Sequence, residues 1–562
     1  MHRVIKAYLE NFASQFSLNQ EPESSQFEKF VAHTVLSSKF NIQCNFDEIV
    51  TSSDDDGIDA IAIIVDEEIV TLKEDIIEIF STPKRNHDVS VVFIQSKTSE
   101  NFDLGEFLKF KEGILKFFSD DYIPSDSVIK NAQEIFNASL ENVTKIREGL
   151  PSFVCRFVTT GRYKEPDAFE EARLSFENDL QELTLFSKID IEFIDRDKLS
   201  KLWISTYTST EACLQTYSTA TFPAISSINE AYLAVVKAKE FVKSILTTED
   251  GNLRIQVFEE NVRAYLGNDN PVNKSIESTL KSDSATRFPI LNNGITIVSP
   301  EVQLQGNRLF LKDFQIVNGC QTANILFENK DILQDIMLHI KVIETQSGDI
   351  FSEIVRATNS QTRIDDPHFY SLLPITKKIE QYFNTYENED SRLYLERRYR
   401  QYAGKDIPNI RIYSLHEASR CVAAMFCRRP DLAARYTPIM YKELSGEIFS
   451  DDVKEIAFYA ACITMYRLNL LLSNKTIDST LRKFKWHILP LAWCIQNGKE
   501  EIKIKSRKIE NKAQNIINIM SKHNTKAIDI FQQAAQVCHS IGDISPDQLK
   551  RQNVLHRMLS AL

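Results

Sequence analysis

The sequence predicts three fold classes in succession: an α/β domain with a mixed sheet, an α+β central module and an all-α C-terminal region. Three observations predict this. Over residues 1–205, β-branched and aromatic runs alternate with amphipathic helical stretches, the pattern of a mixed or parallel sheet covered by helices. In the middle, two strand-like runs adjoin amide-rich turns, Asn292-Asn293-Gly294 and Asn318-Gly319-Cys320-Gln321-Thr322. From Leu415 to Leu562, apolar residues recur three and four apart, as in a helical bundle. The boundaries read from this pattern are 1–205, a Thr/Ser-rich linker at 206–227, a module at 228–414 and a helical region at 415–562.

Composition narrows the function classes. The 562 residues are 43% hydrophobic and 26% charged, which fits an ordinary globular protein able to bury several cores. No apolar run reaches the roughly 18 residues of a membrane span, and the N-terminus, which carries Glu10, lacks a signal-peptide core. A cytoplasmic protein without membrane contact is expected. The nine cysteines form no CxxC pair and have no histidines at zinc spacing. His416-Glu417 has no second histidine four residues on, so no zinc site is predicted. Residues 1–205 hold 22 Lys and Arg against 38 Asp and Glu, and the remainder 44 against 40. Bulk charge in the acidic part repels nucleic acid; phosphate contact there requires a metal ion or a local basic group.

The acidic part opens with a helical pattern over Gln26–Lys39 whose Phe27, Phe30, Val31, Val35 and Leu36 share a face. DDDGIDAIAIIV follows, and then, after a hydrophilic interval, VSVVFIQSKTS. Asp59 stands at the start of one β-branched strand, and Gln95-Ser96-Lys97 at the end of another. Gln95 and Lys97, two apart, point to one face. A carboxylate and an amide oxygen suit Mg²⁺, which stabilises charge on a phosphodiester and acidifies a bound water; a nearby ammonium orients that water. Asp54, Asp55 and Asp56 read as a solvated acidic turn. Helices are then expected at Leu104–Phe118, Ser127–Glu148 and Ala168–Leu183, with strands at Ser152–Gly161 and Ile189–Ile194.

This spacing resembles the Mrr-like branch of the PD-(D/E)xK restriction-endonuclease superfamily, in which Gln replaces the second acid. The resemblance implies a restriction-endonuclease-like mixed sheet, with Asp59 and Gln95 as ligands of Mg²⁺, or of Mn²⁺, and Lys97 as the catalytic lysine. Glu28, in the FEKFV run, matches an accessory glutamate ligand.

In the middle, the Asn-Gly pairs allow positive φ, and the residues after Gly319 open a helix expected over Gln321–Phe327. A strand that turns into a helix presents unpaired N–H groups to an anion or a base edge; the alternative is a turn with a helix cap. AYLAVVKAKEFVKSIL reads as helix, and Leu309–Val317 as one strand. FEENVRAYLG (Phe258–Gly267), PVNKSIESTL (Pro271–Leu280), NNGIT, QIVNGCQT, VRATNSQTRI (Val355–Ile364) and YLERRYRQY (Tyr394–Tyr402) occur in one order. That series resembles the AIPR family, the abortive-infection phage-resistance proteins. Pro289-Ile290-Leu291 departs from the bulkier aromatics expected before Asn292.

Asn292, Asn293, Asn318, Gln321, Thr322, Asn359 and Gln361 are the candidate polar contacts for a base or ribose. Arg392–Arg435 carries ten Lys or Arg against four acids, with Tyr394, Tyr399, Tyr402 and Tyr413 interleaved. Arginines such as Arg397 and Arg398 bind phosphate and tyrosines stack on bases; the alternative is an arginine-rich helix whose charges pair with Glu396, Glu417 and other acids. The expected function is a Mg²⁺-dependent endonuclease of antiphage defence, cutting DNA rather than RNA, with a central module that senses or positions the target. A nucleotide or phage-derived trigger, a second copy of the chain or a defence partner protein are its expected partners. The competing reading is a regulatory protein that binds nucleotide or nucleic acid without catalysis.

Overall fold

Apolar residues three and four apart at Ile5, Leu9 and Phe12, and at Phe27, Phe30, Val31 and Val35, form two amphipathic helices, α1 (Arg3–Gln15) and α2 (Glu23–Phe40). The structure is a computed structural model. It describes the chain except residues 41–45, 52–55, 67, 82–85, 120, 165–166, 208–209, 227, 249–250, 252, 259–270, 283, 334, 359–369, 372, 398–400, 403–404, 406, 436, 522–524, 543, 545 and 550. The chain divides into two compact units. One consists of Met1–Thr206, Leu373–Arg397 and Lys405–Leu562, the other of Tyr207–Leu372 and Arg398–Gly404. The α/β part and the helical C-terminal part thus belong to a single unit, interrupted in sequence by the second.

In the first unit, α3 (Phe46–Ile49), β1 (Ala60–Val65), β2 (Glu68–Val70), α4 (Lys73–Ser81), β3 (Val89–Lys97), α5 (Leu104–Phe117) and α6 (Ser127–Leu140) follow α2. β4 (Ser152–Thr159), α7 (Asp167–Glu182), β5 (Lys188–Ile194) and α8 (Arg196–Tyr207) complete the α/β part. The sheet order is β2-β1-β3-β4-β5. β1 is antiparallel to β2 and β3, whereas β3, β4 and β5 run parallel, so the sheet is mixed as expected. Alternation along the strands sorts the core. Ala60, Ala62, Ile64, Val92 and Ile94 pack against α1, α2 and Trp203. On the other face Phe93 meets Phe117 of α5 at 5.1 Å, and Phe107 meets Phe193 at 4.9 Å. Ring pairs of this kind add to the area they bury.

The second unit begins with β6 (Glu211–Gln215) and β7 (Ser218–Thr221), which occupy the stretch expected as a linker. Their side chains are mostly exposed, so the sequence offers little apolar alternation to read there. β8 (Glu230–Lys237) replaces the first half of the helix expected over AYLAVVKAKEFVKSIL, while the short α9 (Ala238–Phe241) and the helical turn that continues it through Val242–Leu246 form the second half. Ala231, Tyr232, Ala234 and Val236 are buried, and cross-strand pairing with Met337–Glu344 overrides the helical preference of Ala and Lys. The rest comprises α10 (Pro271–Leu280), α11 (Phe288–Leu291), β9 (Ile295–Ser299), β10 (Glu301–Gln305), β11 (Arg308–Lys312), β12 (Gln315–Asn318), α12 (Cys320–Glu328), β13 (Met337–Glu344) and α13 (Gly348–Thr358). Leu309–Val317, expected as one strand, is split into β11 and β12 at Asp313, whose φ is +47°. The sheets are β12-β9-β13-β8-β7 and β10-β11-β6.

Back in the first unit, α14 (Pro374–Phe383) precedes a parallel pair, β14 (Tyr394–Glu396) and β15 (Ile412–Ser414). Helices then follow as expected: α15 (Leu415–Met425), α16 (Pro430–Ala433), α17 (Thr437–Ile448), α18 (Glu455–Ser473), α19 (Lys485–Asn497), α20 (Lys508–Met520), α21 (Thr525–Ser540), α22 (Pro546–Leu549) and α23 (Asn553–Ala561). α18 is long and apolar enough to cross a membrane, but 89% of its apolar window is buried within the protein. Inside that core Tyr459 stacks on Tyr386 with ring centres 3.8 Å apart.

Arg435 ties the helical part to the α/β part. Its Nε donates to Oδ1 of Asp75 on α4 at 2.6 Å, and Nη2 lies 3.4 Å from Glu78. Asp75 is fully buried, so removal of the guanidinium leaves a carboxylate that water cannot reach. Arg435→Ala is expected to lower stability by about 2 kcal/mol, measured by urea unfolding; an unchanged midpoint would show that the pair contributes nothing.

Candidate functional site

Asp56 and Gly57 both have positive φ, +52° and +85°, and make the turn that delivers Asp59 to the start of β1. Helix α5 covers this turn. A Cβ on Gly113 would fall 2.2 Å from the Asp56 carbonyl oxygen, and one on Gly57 would lie 3.4 Å from both Gln95 Nε2 and the Phe110 backbone. The Asp56 carboxylate is also held by the Tyr122 hydroxyl. Ala60 is the register partner of Ile94, yet the Asp59 N–H also donates to the Ile94 carbonyl, at 3.0 Å. Two residues therefore oppose one, a bulge that turns the Asp59 side chain along β3. Its Oδ2 accepts from the Ser96 N–H at 2.6 Å and from the Ser96 hydroxyl at 3.0 Å.

Gln95 is fully buried on the α5 side of the sheet. Among the described residues neither its Nε2 nor its Oε1 has a hydrogen-bond partner. A buried amide with both ends unmet is costly, about 1–3 kcal/mol, and demands a reason. Among the described residues no group of three or more His, Cys, Asp or Glu is placed to hold a metal. The set here is different in kind: one carboxylate and one unpaired amide, both hard oxygen donors that fit Mg²⁺. Lys97 closes β3 with a side chain 31% exposed, and its Nζ pairs with Glu106 Oε2 at 2.8 Å. The structure thus brings Asp59, Gln95 and Lys97 to the same end of the β1–β3 pair. Glu28, half-buried, lies on α2, which covers the opposite face.

Glu106 is a residue that sequence reasoning missed. Its signal is the run Asp103-Leu104-Gly105-Glu106, an N-cap followed three residues later by an acid. Asp103 does cap α5, accepting from the Glu106 N–H at 3.1 Å, while the Glu106 carboxylate turns to Lys97.

In the second unit the amide-rich turns converge. Asn273 Nδ2 donates to Gln321 Oε1 at 2.8 Å, Asn292 Nδ2 to Thr322 Oγ1 at 3.1 Å, and Asn318 Nδ2 to the carbonyl of Thr358. Asn292 also closes its own turn, its Oδ1 accepting from the Gly294 N–H at 2.9 Å. The expected positive φ is present at Gly294 (+74°) and Gly319 (+92°). A Cβ on Gly319 would sit 2.9 Å from the Gly294 carbonyl, so the two turns pack backbone against backbone. Gly319 provides no side-chain cap for α12. The amides of Asn292, Gln321 and Asn318 thus bond to other segments of this unit, whereas Asn293 is exposed. Asn359, Gln361 and Arg398 lie outside the described residues.

Arg397 belongs to the first unit, is buried, and donates through Nε to Glu380 Oε2 at 2.9 Å. Its neighbours in the basic run are also committed. Arg429 pairs with Asp431 and Glu443, Arg411 donates to the Arg392 carbonyl, and Arg420 to the Arg435 carbonyl. Among the described residues the run forms β14, β15 and helices, and the charges of Arg397, Arg411, Arg420, Arg429 and Arg435 are met by acids and carbonyls of the fold rather than along one exposed helix.

The family model for AIPR protein matches residues 258–541, a span that takes in much of the second unit and most of the helical C-terminal part. The match starts at the FEENVRAYLG run and extends past Tyr402 through most of the helical region. No curated protein and no solved structure matches the chain. The chain belongs to the AIPR family, the abortive-infection phage-resistance proteins, and so to antiphage defence.

Proposed function

We propose that this AIPR protein is a Mg²⁺-dependent endonuclease that cuts DNA, with a restriction-endonuclease-like N-terminal domain, and that its central module senses or positions the target. The observation that carries the reading is the buried, unpaired amide of Gln95 beside Asp59 and Lys97. In this reading Asp59 and Gln95 hold the ion. Bound Mg²⁺ would supply charge stabilisation on the phosphodiester and an acidified water. Hydrogen bonds from Ser96 fix the Asp59 carboxylate in place. Lys97, the solvent-open member, meets the phosphate and orients the attacking water.

The acidic balance of residues 1–205 makes the ion part of binding as well as chemistry, since phosphate is otherwise repelled. Purified full-length protein is expected to cut plasmid DNA with Mg²⁺ or Mn²⁺ and to stop on EDTA. Incubation with plasmid, single-stranded DNA and RNA tests this. Persistent cutting in EDTA removes the metal, and no cutting of any substrate turns the reading to a regulatory protein whose central module binds nucleotide or nucleic acid.

A further inference from the structure

Three positions on α5 address the candidate site in register. Glu106 in the first turn holds Lys97, Phe110 walls Gln95 and Gly57, and Gly113 admits the Asp56 carbonyl. Spacings of four and three put these residues on one helical face. The helix that covers the sheet thus also contacts Lys97 and the turn that delivers Asp59. Among the described residues Glu106 is the one ionic partner of Lys97. Its own backbone is pinned by Asp103, so the carboxylate projects from a capped first turn rather than from a loop.

We infer that Glu106 is a positioning residue for Lys97 in the nuclease reaction, an inference that rests on the nuclease reading above. A lysine ammonium on a four-carbon stem has many rotamers, and without a partner it spends little time at any single point. Glu106 limits those rotamers, holding the ammonium at the open end of β3, the end that also carries Asp59 and Gln95. The carboxylate does not itself touch phosphate in this scheme. It acts through Lys97, and its removal should slow the reaction without weakening substrate binding.

The experiment uses full-length protein, supercoiled plasmid and Mg²⁺. Glu106→Gln is expected to lower kcat by about tenfold to a hundredfold with KM unchanged, and Glu106→Asp, which keeps the charge, to recover part of that loss. In a Lys97→Ala background Glu106→Gln should cost nothing more, because the group it positions is gone. Acylation of lysines by a succinimidyl ester, read by peptide mass spectrometry, should show Lys97 labelled several-fold faster in Glu106→Gln. A wild-type kcat in Glu106→Gln, an equal further loss in the Lys97→Ala background, or unchanged Lys97 labelling overturns the inference while leaving the nuclease reading standing. If the wild type cuts nothing, the nuclease reading fails and this role fails with it.

Discussion

Asp59→Asn and Lys97→Ala are each expected to lower Mg²⁺-dependent cleavage at least about a hundredfold. The asparagine is the sharper test at position 59. Asp59 Oδ2 accepts two hydrogen bonds from Ser96, and truncation to alanine would lose those as well as the charge. Asparagine keeps an acceptor of the same shape for Ser96 and removes only the negative charge that a cation requires. Lys97→Ala takes away an ammonium that is partly exposed and whose partner, Glu106, can return to water, so the fold should survive. Unfolding midpoints close to wild type would separate lost chemistry from lost structure. Wild-type-like cleavage by either variant would sink the assignment of that residue.

The parts of the molecule that were legible in the sequence are those whose signal is local. Gln95-Ser96-Lys97 ends a run rich in β-branched residues, and that run is β3. Asn318-Gly319 follows a strand and precedes a helix in both reading and structure, because positive φ at Gly319 is a requirement of the turn itself. The illegible parts depend on partners far away. Asp75 and Arg435 meet across 360 positions, and nothing near either announces the other. AYLAVVK has helix-favouring residues but is decided by its pairing with β13. Arg397 reads in sequence as a phosphate ligand because Glu380, its partner, lies on a separate element, α14. In each case tertiary context overrode a sound local preference.

The two amide-bearing regions also differ in kind. In the second unit, Asn273, Asn292, Asn318 and Gln321 all hydrogen-bond within the fold, so that cluster first of all joins α10, the turn before β9, α12 and the end of α13. In the first unit, the Gln95 amide has no such partner among the described residues. Burial without partners is tolerated where something else is gained, and this contrast is why the chemistry is proposed at β3 rather than at the more conspicuous turns.

Gly113→Ala tests whether that site is built as described, because the ordinary expectation has the opposite sign. In the middle of a helix, replacing Gly by Ala stabilises by about 0.5–1 kcal/mol. At Gly113 of α5 the added Cβ would sit 2.2 Å from the Asp56 carbonyl oxygen and 3.1 Å from its carbon, and these are backbone atoms that no rotamer can move aside. Either α5 shifts off the sheet or the turn carrying Asp56, Gly57 and Asp59 is displaced. The first breaks packing around Phe93, Phe107 and Phe117; the second moves Asp59 relative to Ser96 and Gln95. A stability loss of about 3 kcal/mol is expected, together with a fall in cleavage of at least about thirtyfold, since a displacement of one ångström at a reacting centre is enough for that. Gly446 on α17 supplies the control: a Cβ added there would meet nothing within 4 Å, so Gly446→Ala should be stabilising and leave cleavage unchanged. Urea unfolding and plasmid digestion of the two variants side by side would decide the matter, and a Gly113→Ala protein as stable and active as Gly446→Ala would show that α5 does not press on the Asp56 turn.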